Sequence, residues 1–462
     1  MNKLSFVGLG LVGLCNAVCF AAKGYEVVAS ETDKAKASQI KSGEPPFYEP
    51  SLEPLLRKTM RSKRLKVVTD NEEAVLQSDI TFITVGTPSK PNGSVDLRFI
   101  LSASREIGKA LKKKSPHLVV VKSTVTPGTT QKVVGPTIEE YSGKKFGRGL
   151  LLCFNPEFLR EGNAIKGTLN PDYIMIGGYN KKSADTLESL YKEFHGENLP
   201  PIIKTNLPTA ELTKYANNAF LATKISFINT IANICEKISC TDVKKIAEAI
   251  GKDHRISPHF LNAGLGWGGS CFPKDLKALI MFSKKIDYKP ALIQAAYKAN
   301  KDQIEFSMQK VKNELETLKG KTIAILGLAF KPDTDDIREA PSIKIIRRLQ
   351  KQGAKINAYD PIATANAKKI FKEKINYASS AIECLKNSDL AIITTEWEEF
   401  KKLKPEDFIQ NMKKPILIDG RRIYNSEKFS KKIRYIAIGL GRPRNCSLKF
   451  GPRHKLKEGF LA

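Results

Sequence analysis

The chain has 462 residues, enough for about three domains, and its 41% hydrophobic and 27% charged residues exclude a largely disordered or fibrous protein. The 76 Lys and Arg exceed the 48 Asp and Glu, which gives a formal net charge of +28. This charge indicates an anionic partner, but it does not distinguish nucleic acid, a membrane surface and a phosphorylated metabolite.

The 8 cysteines are scattered, without a CxxC pair or a regular framework, and this pattern is typical of a cytoplasmic protein. Glycines interrupt the apolar N-terminus, so we expect no signal peptide there. No apolar run is long enough to span a bilayer, so we expect no membrane segment.

Short β-rich runs alternate with helical stretches from the N-terminus to about Gly178, which predicts βαβ units and a parallel sheet. A long helical pattern begins near Asn206, and the β/α alternation resumes at Lys321. The sequence therefore predicts an α/β fold with two doubly wound domains joined by a central helical region that contains a long helix. We place the domains at residues 1–203, 204–310 and 311–462, with a basic tail of little pattern at the end.

A Gly8-x-Gly10-x-x-Gly13 turn follows the first strand candidate and opens a helix. In a Rossmann-like domain, these glycines permit the tight turn, the close approach of a pyrophosphate and the packing of helix on strand. Glu31, after the second strand, would bind the adenosine ribose hydroxyls and repel a 2′-phosphate. These features predict NAD as the cofactor, and the alternative is a glycine-rich turn without a ligand. The similar opening at Gly327 lacks the other glycines, so we do not expect the same binding there.

Residues 260–275 (FLNAGLGWGGSCFPKD) form a glycine-rich loop that permits close backbone approach. Pro273 suits the first turn of a helix, which places Cys271 at a helix N-terminus. Beside Lys274, Cys271 should therefore have a stabilised thiolate, and it is a candidate nucleophile. Asp275 would oppose that thiolate but could act as a base. The alternative is that Cys271, like the other seven cysteines, is a small buried apolar side chain.

Eight motifs are spread over nearly the whole chain. They are GLGLVG (8–13), VGTP (85–88), KSTVTPGT (122–129), FNPEFLREG (154–162), ELTKYANN (211–218), the cysteine loop, LAFKPDTDDIREAP (328–341) and IDGRR (418–422). In these motifs and their order, the chain resembles the UDP-glucose/GDP-mannose dehydrogenase family.

The resemblance implies an NAD-binding Rossmann-like domain and a UDP-sugar-binding Rossmann-like domain, joined by a helical dimerisation region. It implies a cytoplasmic homodimer or higher homo-oligomer that oxidises UDP-glucose to UDP-glucuronate with two NAD⁺. The aldehyde formed first would add to Cys271 as a thiohemiacetal, which is then oxidised to a thioester and hydrolysed.

The resemblance also assigns roles to individual residues. The candidate catalytic residues are Cys271 as nucleophile, Glu157 and Asp275 as bases for hydrolysis, Lys214 and Asn218 as a pair on one helix face that holds an alkoxide, and Thr124 as a ligand of water or a hydroxyl. The candidate NAD-binding residues are Gly8, Gly10, Gly13, Glu31, Lys36, Thr87, Thr124, Glu161 and Arg338. The candidate substrate-binding residues are Phe158, Leu159, Arg160, Glu161, Lys214, Asn218, Phe260, Leu261, Asn262, Ala263, Gly264, Gly268, Lys331, Arg421 and, from across a dimer, Arg255. We expect no metal site, because no cluster has metal-ligand spacing.

Two alternatives stay open. GDP-mannose dehydrogenases share NPEFLRE and a GGSC-type loop, although FLNAG and IDGRR favour the UDP-glucose group, and UDP-N-acetylhexosamine dehydrogenases diverge more at the glutamate motif. A non-catalytic nucleic-acid-binding protein would explain the net charge, but it would need a basic face with stacking aromatic residues. The lysines are instead dispersed over predicted helix surfaces, so we expect neither a nucleic-acid nor a membrane partner.

Overall fold

The structure, a computed structural model, describes residues 2–441, so the predicted basic tail beyond Gly441 lies outside the described residues. Two α/β units, each built on a doubly wound sheet, flank a helical region that contains one long helix. The predicted fold class is therefore confirmed.

The first unit contains eight strands and eight α-helices. The strands are β1 (Leu4–Val7), β2 (Val27–Ser30), β3 (Leu65–Val68), β4 (Ile80–Ile83), β5 (His117–Val121), β6 (Leu150–Phe154), β7 (Ile174–Gly178) and β8 (Ile202–Asn206). The helices are α1 (Leu11–Ala22), α2 (Lys34–Lys41), α3 (Leu52–Arg61), α4 (Asn71–Leu76), α5 (Arg98–Lys112), α6 (Gly135–Ser142), α7 (Ala164–Leu169) and α8 (Lys181–His195). The strand order β3-β2-β1-β4-β5-β6-β7-β8 reverses between β1 and β4, and ligands bind at such a switch point, beyond the carboxyl ends of the strands.

Two strands of this sheet depart from the sequence prediction. Strand β7 runs antiparallel to β6, so the expectation of a parallel sheet is wrong at this position. A short buried apolar run carries no signal of its direction, because it is covered on both faces in either case. Strand β8 was not predicted, because its residues are mostly exposed and form no apolar run. The predicted domain boundary at residue 203 falls inside β8.

Aromatic side chains hold α1 against the sheet. The rings of Phe6 on β1 and Phe82 on β4 stack with centroids 4.8 Å apart. Phe20 of α1 lies over both rings and packs against Phe194 of α8, with centroids 4.2 Å apart. Because all four side chains are buried, the N-terminus of α1 keeps a fixed position at the switch point.

The central region consists of four helices: α9 (Leu207–Cys235), α10 (Val243–Gly251), α11 (Phe272–Lys285) and α12 (Ala291–Glu314). Helix α9 begins next to the predicted start, where the Asn206 side chain accepts a hydrogen bond from the Thr209 N–H and Pro208 occupies the first turn. Helices α11 and α12 both pack against α9, so α9 is the axis of this region. None of the helices within residues 2–441 combines the length and apolar character that a membrane span needs.

The second unit contains six strands, all paired in parallel, and six α-helices. The strands are β9 (Thr322–Leu326), β10 (Lys355–Tyr359), β11 (Asn376–Tyr377), β12 (Leu390–Ile393), β13 (Ile416–Asp419) and β14 (Arg434–Ala437). The helices are α13 (Pro341–Lys351), α14 (Thr364–Phe371), α15 (Ala381–Leu385), α16 (Glu398–Lys401), α17 (Pro405–Asn411) and α18 (Ser426–Ser430). The order β11-β10-β9-β12-β13-β14 again reverses beside the first strand of the unit, as predicted for a doubly wound domain.

The turn between β1 and α1 accepts only glycine at two positions. Gly8 has φ +96°, and a Cβ there would lie 2.9 Å from the Val85 Cα. A Cβ at Gly13 would lie 2.0 Å from the carbonyl oxygen of Gly8. Gly10 is different, because no atom lies within 4 Å of the place that its Cβ would take.

We therefore expect Gly13→Ala to destabilise the first unit by at least about 2 kcal/mol, because α1 would have to move off the turn. Gly10→Ala is the matched control, since it adds the same methyl group to open space and costs about 1 kcal/mol or less. Urea unfolding of the two variants measures both effects. Equal losses of stability would contradict this account of the turn.

Candidate active site

The N-terminus of α1 is open to an anion. Gly10 is its N-cap residue, and no side chain accepts hydrogen bonds from the first turn. Those N–H groups and the positive end of the helix therefore face the space that Gly10 leaves free. Beside them, Glu31 Oε2 accepts a hydrogen bond from Leu9 N (3.3 Å) and pairs with Lys36 Nζ (2.6 Å). The turn fits a pyrophosphate, and Glu31 and Lys36 lie next to it.

The corresponding turn of the second unit also has a carboxylate beside it. Asp360, after β10, accepts hydrogen bonds through Oδ2 from Leu328 N (2.6 Å), Ala329 N (3.0 Å) and Trp397 Nε1 (3.0 Å). Asp360 follows the second strand of its unit as Glu31 does, and both carboxylates accept from the turn that follows the first strand. The expectation that the second turn binds no dinucleotide in the manner of the first rests on its missing glycines and stays a prediction.

Glu157 and Lys214 form a buried ion pair between the end of β6 and α9. Lys214 Nζ donates to Glu157 Oε1 at 2.9 Å and to the Glu157 carbonyl oxygen at 2.6 Å. Both side chains are less than one-tenth exposed. Burial raises the pKa of Glu157, but Lys214, the Leu159 N–H and Lys122 together outweigh burial and hold the pKa below its usual value. The Phe158 ring lies 5.4 Å from the same Nζ, and Leu159 N donates to Glu157 Oε2 at 2.6 Å.

One turn further along α9, Asn218 contacts the start of α11. Its Nδ2 donates to Asp275 Oδ2 at 2.6 Å, and both residues are buried. Lys274 Nζ forms an ion pair with the other carboxylate oxygen of Asp275 at 2.8 Å. Lys214 and Asn218 therefore point to one site from one helix face, as their i, i+4 spacing predicts.

Cys271 is the N-cap residue of α11 and is partly buried. Burial raises the pKa of its thiol to about 11, and the charges of Glu157 and Asp275 add to this rise. Lys214 and the Ser270 hydroxyl, 3.5 Å from the Cys271 sulfur, oppose it. The expectation of a stabilised thiolate is therefore wrong, because burial and two carboxylates outweigh the helix N-terminus and Lys274 pairs with Asp275.

Buried amide side chains that the sequence analysis missed hold the glycine-rich loop. Asn229 Oδ1 on α9 accepts a hydrogen bond from Gly264 N (2.8 Å), and Gln303 Nε2 on α12 donates to the Gly264 carbonyl (2.8 Å). Asn300 Oδ1 accepts from Trp267 N (2.7 Å), and its Nδ2 donates to the Trp267 carbonyl (3.0 Å). The i, i+3 spacing of Asn300 and Gln303 within an apolar helix pattern is a signal that could have found them.

Glu161 lies where the two α/β units meet. Its Oε1 accepts a hydrogen bond from the Ser270 hydroxyl (2.6 Å) and lies 3.6 Å from a guanidinium nitrogen of Arg338, whereas Oε2 is buried without a partner. Lys331 Nζ donates to the carbonyl oxygen of Glu161. Burial and the neighbouring Asp336 raise the pKa of Glu161 to about 7.

The remaining predicted site residues are distributed as follows. Thr87 Oγ1 donates to the Thr124 carbonyl at 2.8 Å, beside the first turn. The Arg160 guanidinium lies 5.7 Å from the Phe260 ring centre, which joins two predicted substrate segments. Arg421 Nε donates to the Thr394 carbonyl at 2.7 Å.

Four more of the predicted substrate residues lie in the glycine-rich loop. Leu261 and Ala263 are buried, whereas Asn262 is exposed. Gly268 lies against the second unit, and a Cβ there would be 2.6 Å from the Glu339 carbonyl oxygen.

Arg255 is not brought to the site within one chain. Its guanidinium pairs with Asp253 at 2.6 Å, and its side chain is 79% exposed. Within residues 2–441, no three His, Cys, Asp or Glu side chains are grouped as metal ligands.

Two doubly wound units, an open Rossmann turn and a cysteine beside a lysine–glutamate pair define a dinucleotide-dependent dehydrogenase. Comparison with known proteins makes this more specific. Models of the UDP-glucose/GDP-mannose dehydrogenase family match residues 2–195 (NAD-binding domain), 208–302 (central domain) and 324–426 (UDP-binding domain). The chain therefore belongs to this family, and the prediction of NAD as cofactor is confirmed.

Curated relatives agree over nearly the full length. The chain is 44% identical to UDP-glucose 6-dehydrogenase AglM of Haloferax volcanii, over 91% of this chain and 97% of that protein. It is 41% identical to UDP-glucose 6-dehydrogenase TuaD of Bacillus subtilis, over 96% and 94%. Among solved structures, a UDP-glucose dehydrogenase from Pyrobaculum islandicum superposes with a TM-score of 0.88 at 36% identity, covering 95% of this chain and 98% of that one.

The raised pKa of Cys271 predicts how fast the thiol reacts. We expect its alkylation by iodoacetamide to accelerate through pH 9 and towards pH 11, because only the thiolate reacts. Glu157→Gln should move this profile to lower pH and Lys214→Met to higher pH, since the two charges act on the thiol in opposite directions. Labelling followed by mass spectrometry, with Cys271→Ser as the blank, measures the rate. A plateau near neutral pH would contradict the raised pKa.

Proposed function

We propose that this protein oxidises UDP-glucose to UDP-glucuronate with two NAD⁺ in succession. The observation that carries the proposal is the convergence of Cys271, the Glu157–Lys214 pair and the Asn218–Asp275 pair on one site between the open α1 turn and the second unit. The curated relatives AglM and TuaD and the Pyrobaculum islandicum structure, which are named UDP-glucose dehydrogenases and match over nearly the full length, support UDP-glucose as the sugar nucleotide.

NAD⁺, held by the Gly8–Gly13 turn, Glu31 and Lys36, supplies the electron acceptor for both oxidations. We propose that Thr124, through water or a hydroxyl, and Thr87, Glu161 and Arg338 complete its site. The open space at Gly10 and the uncapped N–H groups of α1 support this assignment.

Each side chain of the site has a role in one step of the proposed reaction. Lys214 and Asn218 stabilise the alkoxide as the primary alcohol becomes an aldehyde. The Cys271 thiol then adds across the aldehyde carbonyl: its sulfur bonds to the carbon, and its proton, which a thiol with a raised pKa carries at neutral pH, passes to the carbonyl oxygen. The thiohemiacetal carbon then gives up a hydride to the second NAD⁺ and the hydroxyl oxygen gives up its proton to water, which leaves a thioester. Water, deprotonated by Glu157 with the help of Asp275, breaks the carbon–sulfur bond and releases the carboxylate and the thiol.

We propose that the substrate lies between the residues after β6 and the second unit. Two segments would surround the sugar and the uracil ring: Phe158–Glu161, and Phe260–Gly264 together with Gly268. Lys331 and Arg421 would bind the diphosphate. The contact of Arg160 with Phe260 and the reach of Lys331 to Glu161 support a cleft that both units close.

We also propose that the chain self-associates through α9. Phe220, Phe227 and Ile234 recur every seven residues on this helix and are 66%, 51% and 50% exposed. An apolar stripe of this kind is typical of a helix–helix interface. In such a homodimer, the exposed Arg255 is available to the site of the other subunit.

The stoichiometry tests the proposed reaction. We expect two NADH for each UDP-glucose, because the enzyme-bound aldehyde is oxidised before it can leave. Absorbance assays with UDP-glucose, GDP-mannose and UDP-N-acetylmannosamine compare the candidate substrates. One NADH per sugar would contradict the thioester route, and preferred turnover of GDP-mannose would contradict the proposed substrate.

Variants test the assignment of nucleophile and base. Glu157→Gln should accumulate acylated enzyme, because hydrolysis loses its base, and mass spectrometry should show uronosyl mass on the peptide that contains Cys271. Cys271→Ser should stop at or before acyl release. The nucleophile assignment is wrong if Cys271→Ala keeps the full four-electron activity.

A further inference from the structure

Lys122 is a buried lysine just after β5 that the reaction above does not use. Its Nζ donates a hydrogen bond to Asn155 Oδ1 at 2.7 Å and another to the Tyr191 hydroxyl at 3.5 Å. The Tyr191 hydroxyl donates to the same Asn155 oxygen at 2.5 Å. Only 6% of Lys122 is exposed, so its ammonium group lies away from bulk water.

A buried ammonium needs a compensating negative charge. Asn155 and Tyr191 are neutral, and the carboxylate that acts on Lys122 is Glu157, two residues after Asn155. Lys214 from α9 is the other charge that acts on Lys122. Asp275 also acts on Lys214, but it pairs with Lys274 at 2.8 Å. The three lysines Lys122, Lys214 and Lys274 therefore face the two carboxylates of Glu157 and Asp275, and the cluster carries one excess positive charge.

Other titratable groups face this cluster from the neighbouring elements. The Cys271 thiol on α11 interacts with Glu157 and Lys214. His195 on α8 lines the same cavity as Lys122, and burial lowers its pKa to about 4, so it is neutral near pH 7. Neither group supplies a further negative charge at neutral pH.

The excess positive charge becomes important when Lys214 donates a hydrogen bond to a substrate. In the proposed reaction, Lys214 donates to the developing alkoxide and so gives up part of its interaction with Glu157. A buried glutamate without a cation takes up a proton, and a protonated Glu157 is not a base. A second cation that does not contact the substrate would prevent this.

We propose that Lys122 is a positioning residue that keeps Glu157 ionised and aligned as the base for thioester hydrolysis. Its hydrogen bond to Asn155 fixes the backbone immediately before Pro156 and Glu157, and its charge favours the ionised carboxylate of Glu157. The proposal rests on the proposed function for the role of Glu157 as a base. The interaction of Lys122 with Glu157 does not depend on which sugar nucleotide is oxidised.

The protonation of Lys122 is consistent with this role. Burial lowers its pKa to about 8, and Glu157 opposes that effect. Lys122 is therefore mostly charged at pH 7 and loses its charge as the pH rises above 8. Lys122 in turn is one of the groups that lower the pKa of Glu157 against burial.

The first test is the pH profile of kcat in Lys122→Met, which keeps the length of the side chain and removes its charge. We expect the acid limb to move up by about one pH unit, with little change of KM for the sugar nucleotide. Lys310→Met is the matched control, because Lys310 is 9% exposed and pairs with Glu236, directly after the C-terminus of α9 and away from the site. Its acid limb should stay at the wild-type position.

A second variant separates charge from hydrogen bonding. Tyr191→Phe removes the hydroxyl group from Asn155 and leaves the charge of Lys122, so its acid limb should also stay in place. If Lys122→Met keeps the wild-type limb, or if Tyr191→Phe moves it equally, Lys122 is only a structural contact and the proposal is wrong.

Chemical rescue covers the case in which Lys122→Met does not fold. Lys122 lines a cavity of about 280 Å³ that also contacts Tyr191 and His195. In Lys122→Ala, added methylammonium should enter this space and move the acid limb back towards wild type. Tetramethylammonium, with the same charge but greater bulk and no N–H donor, should not. Equal effects of both cations would contradict the proposal.

Unfolding measurements give a readout that does not need turnover. In Glu157→Gln, Lys122 lacks the carboxylate that acts on it, so the loss of the Lys122 charge should cost less stability there than in the wild type. The double variant Lys122→Met/Glu157→Gln should therefore shift the urea midpoint by less than the two single shifts combined. Additive shifts would overturn the proposal. If the shifts are coupled but UDP-glucose is not oxidised, the proposed function fails and the link between Lys122 and Glu157 stands.

Discussion

The ion pair between Glu157 and Lys214 is the contact on which the geometry of the site depends. It joins the end of a strand in the first unit to the long helix of the central region, and both charges are buried. Removal of one partner from a buried pair typically costs about 3–5 kcal/mol, because the other charge stays behind without compensation. The relative position of the dinucleotide-binding sheet and α9 is therefore fixed at the point where the chemistry is proposed to occur.

Side chains of helix α9 also make the contacts that position the rest of the site. Asn218, one turn beyond Lys214, holds Asp275 and with it the start of α11, where Cys271 lies. About three turns beyond Asn218, Asn229 accepts a hydrogen bond from the backbone of Gly264 in the glycine-rich loop. One helix thus positions the nucleophile, a base and the loop relative to one another. Its outer face carries the apolar stripe proposed for self-association.

Much of the fold could be predicted from the sequence, because long periodic patterns carry strong signals. The β–α alternation, the glycine turn after β1 and the helix that starts after Asn206 were of this kind. Strand β8 and the antiparallel direction of β7 could not be predicted, since a partly exposed edge strand has no apolar run and burial does not report direction.

Parts of the site could likewise be predicted from the sequence, and other parts could not. The motifs predicted Cys271, Glu157 and Lys214 as separate site residues, and the structure brings them together, with Glu157 and Lys214 as an ion pair that the sequence did not predict. The ionisation of Cys271 could not be predicted, because it depends on burial and on carboxylates that come from distant segments. Lys122 is the first residue of the KSTVTPGT motif, but nothing in its local sequence shows that its ammonium group is buried beside Asn155 and Tyr191. Such effects arise from tertiary packing alone.

Glu161 has a consequence for any measurement of ligand binding. With a pKa of about 7, its carboxyl group is divided between two protonation states near neutral pH. When a ligand changes the surroundings of Glu161, the carboxyl group releases or takes up a fraction of a proton. The buffer accepts or donates that proton. The heat of binding then includes the ionisation enthalpy of the buffer, and titrations in phosphate and in Tris differ in enthalpy even where the affinity is the same. The slope of that difference against the ionisation enthalpy of the buffer gives the net number of protons exchanged on binding, to which this buried carboxyl group contributes.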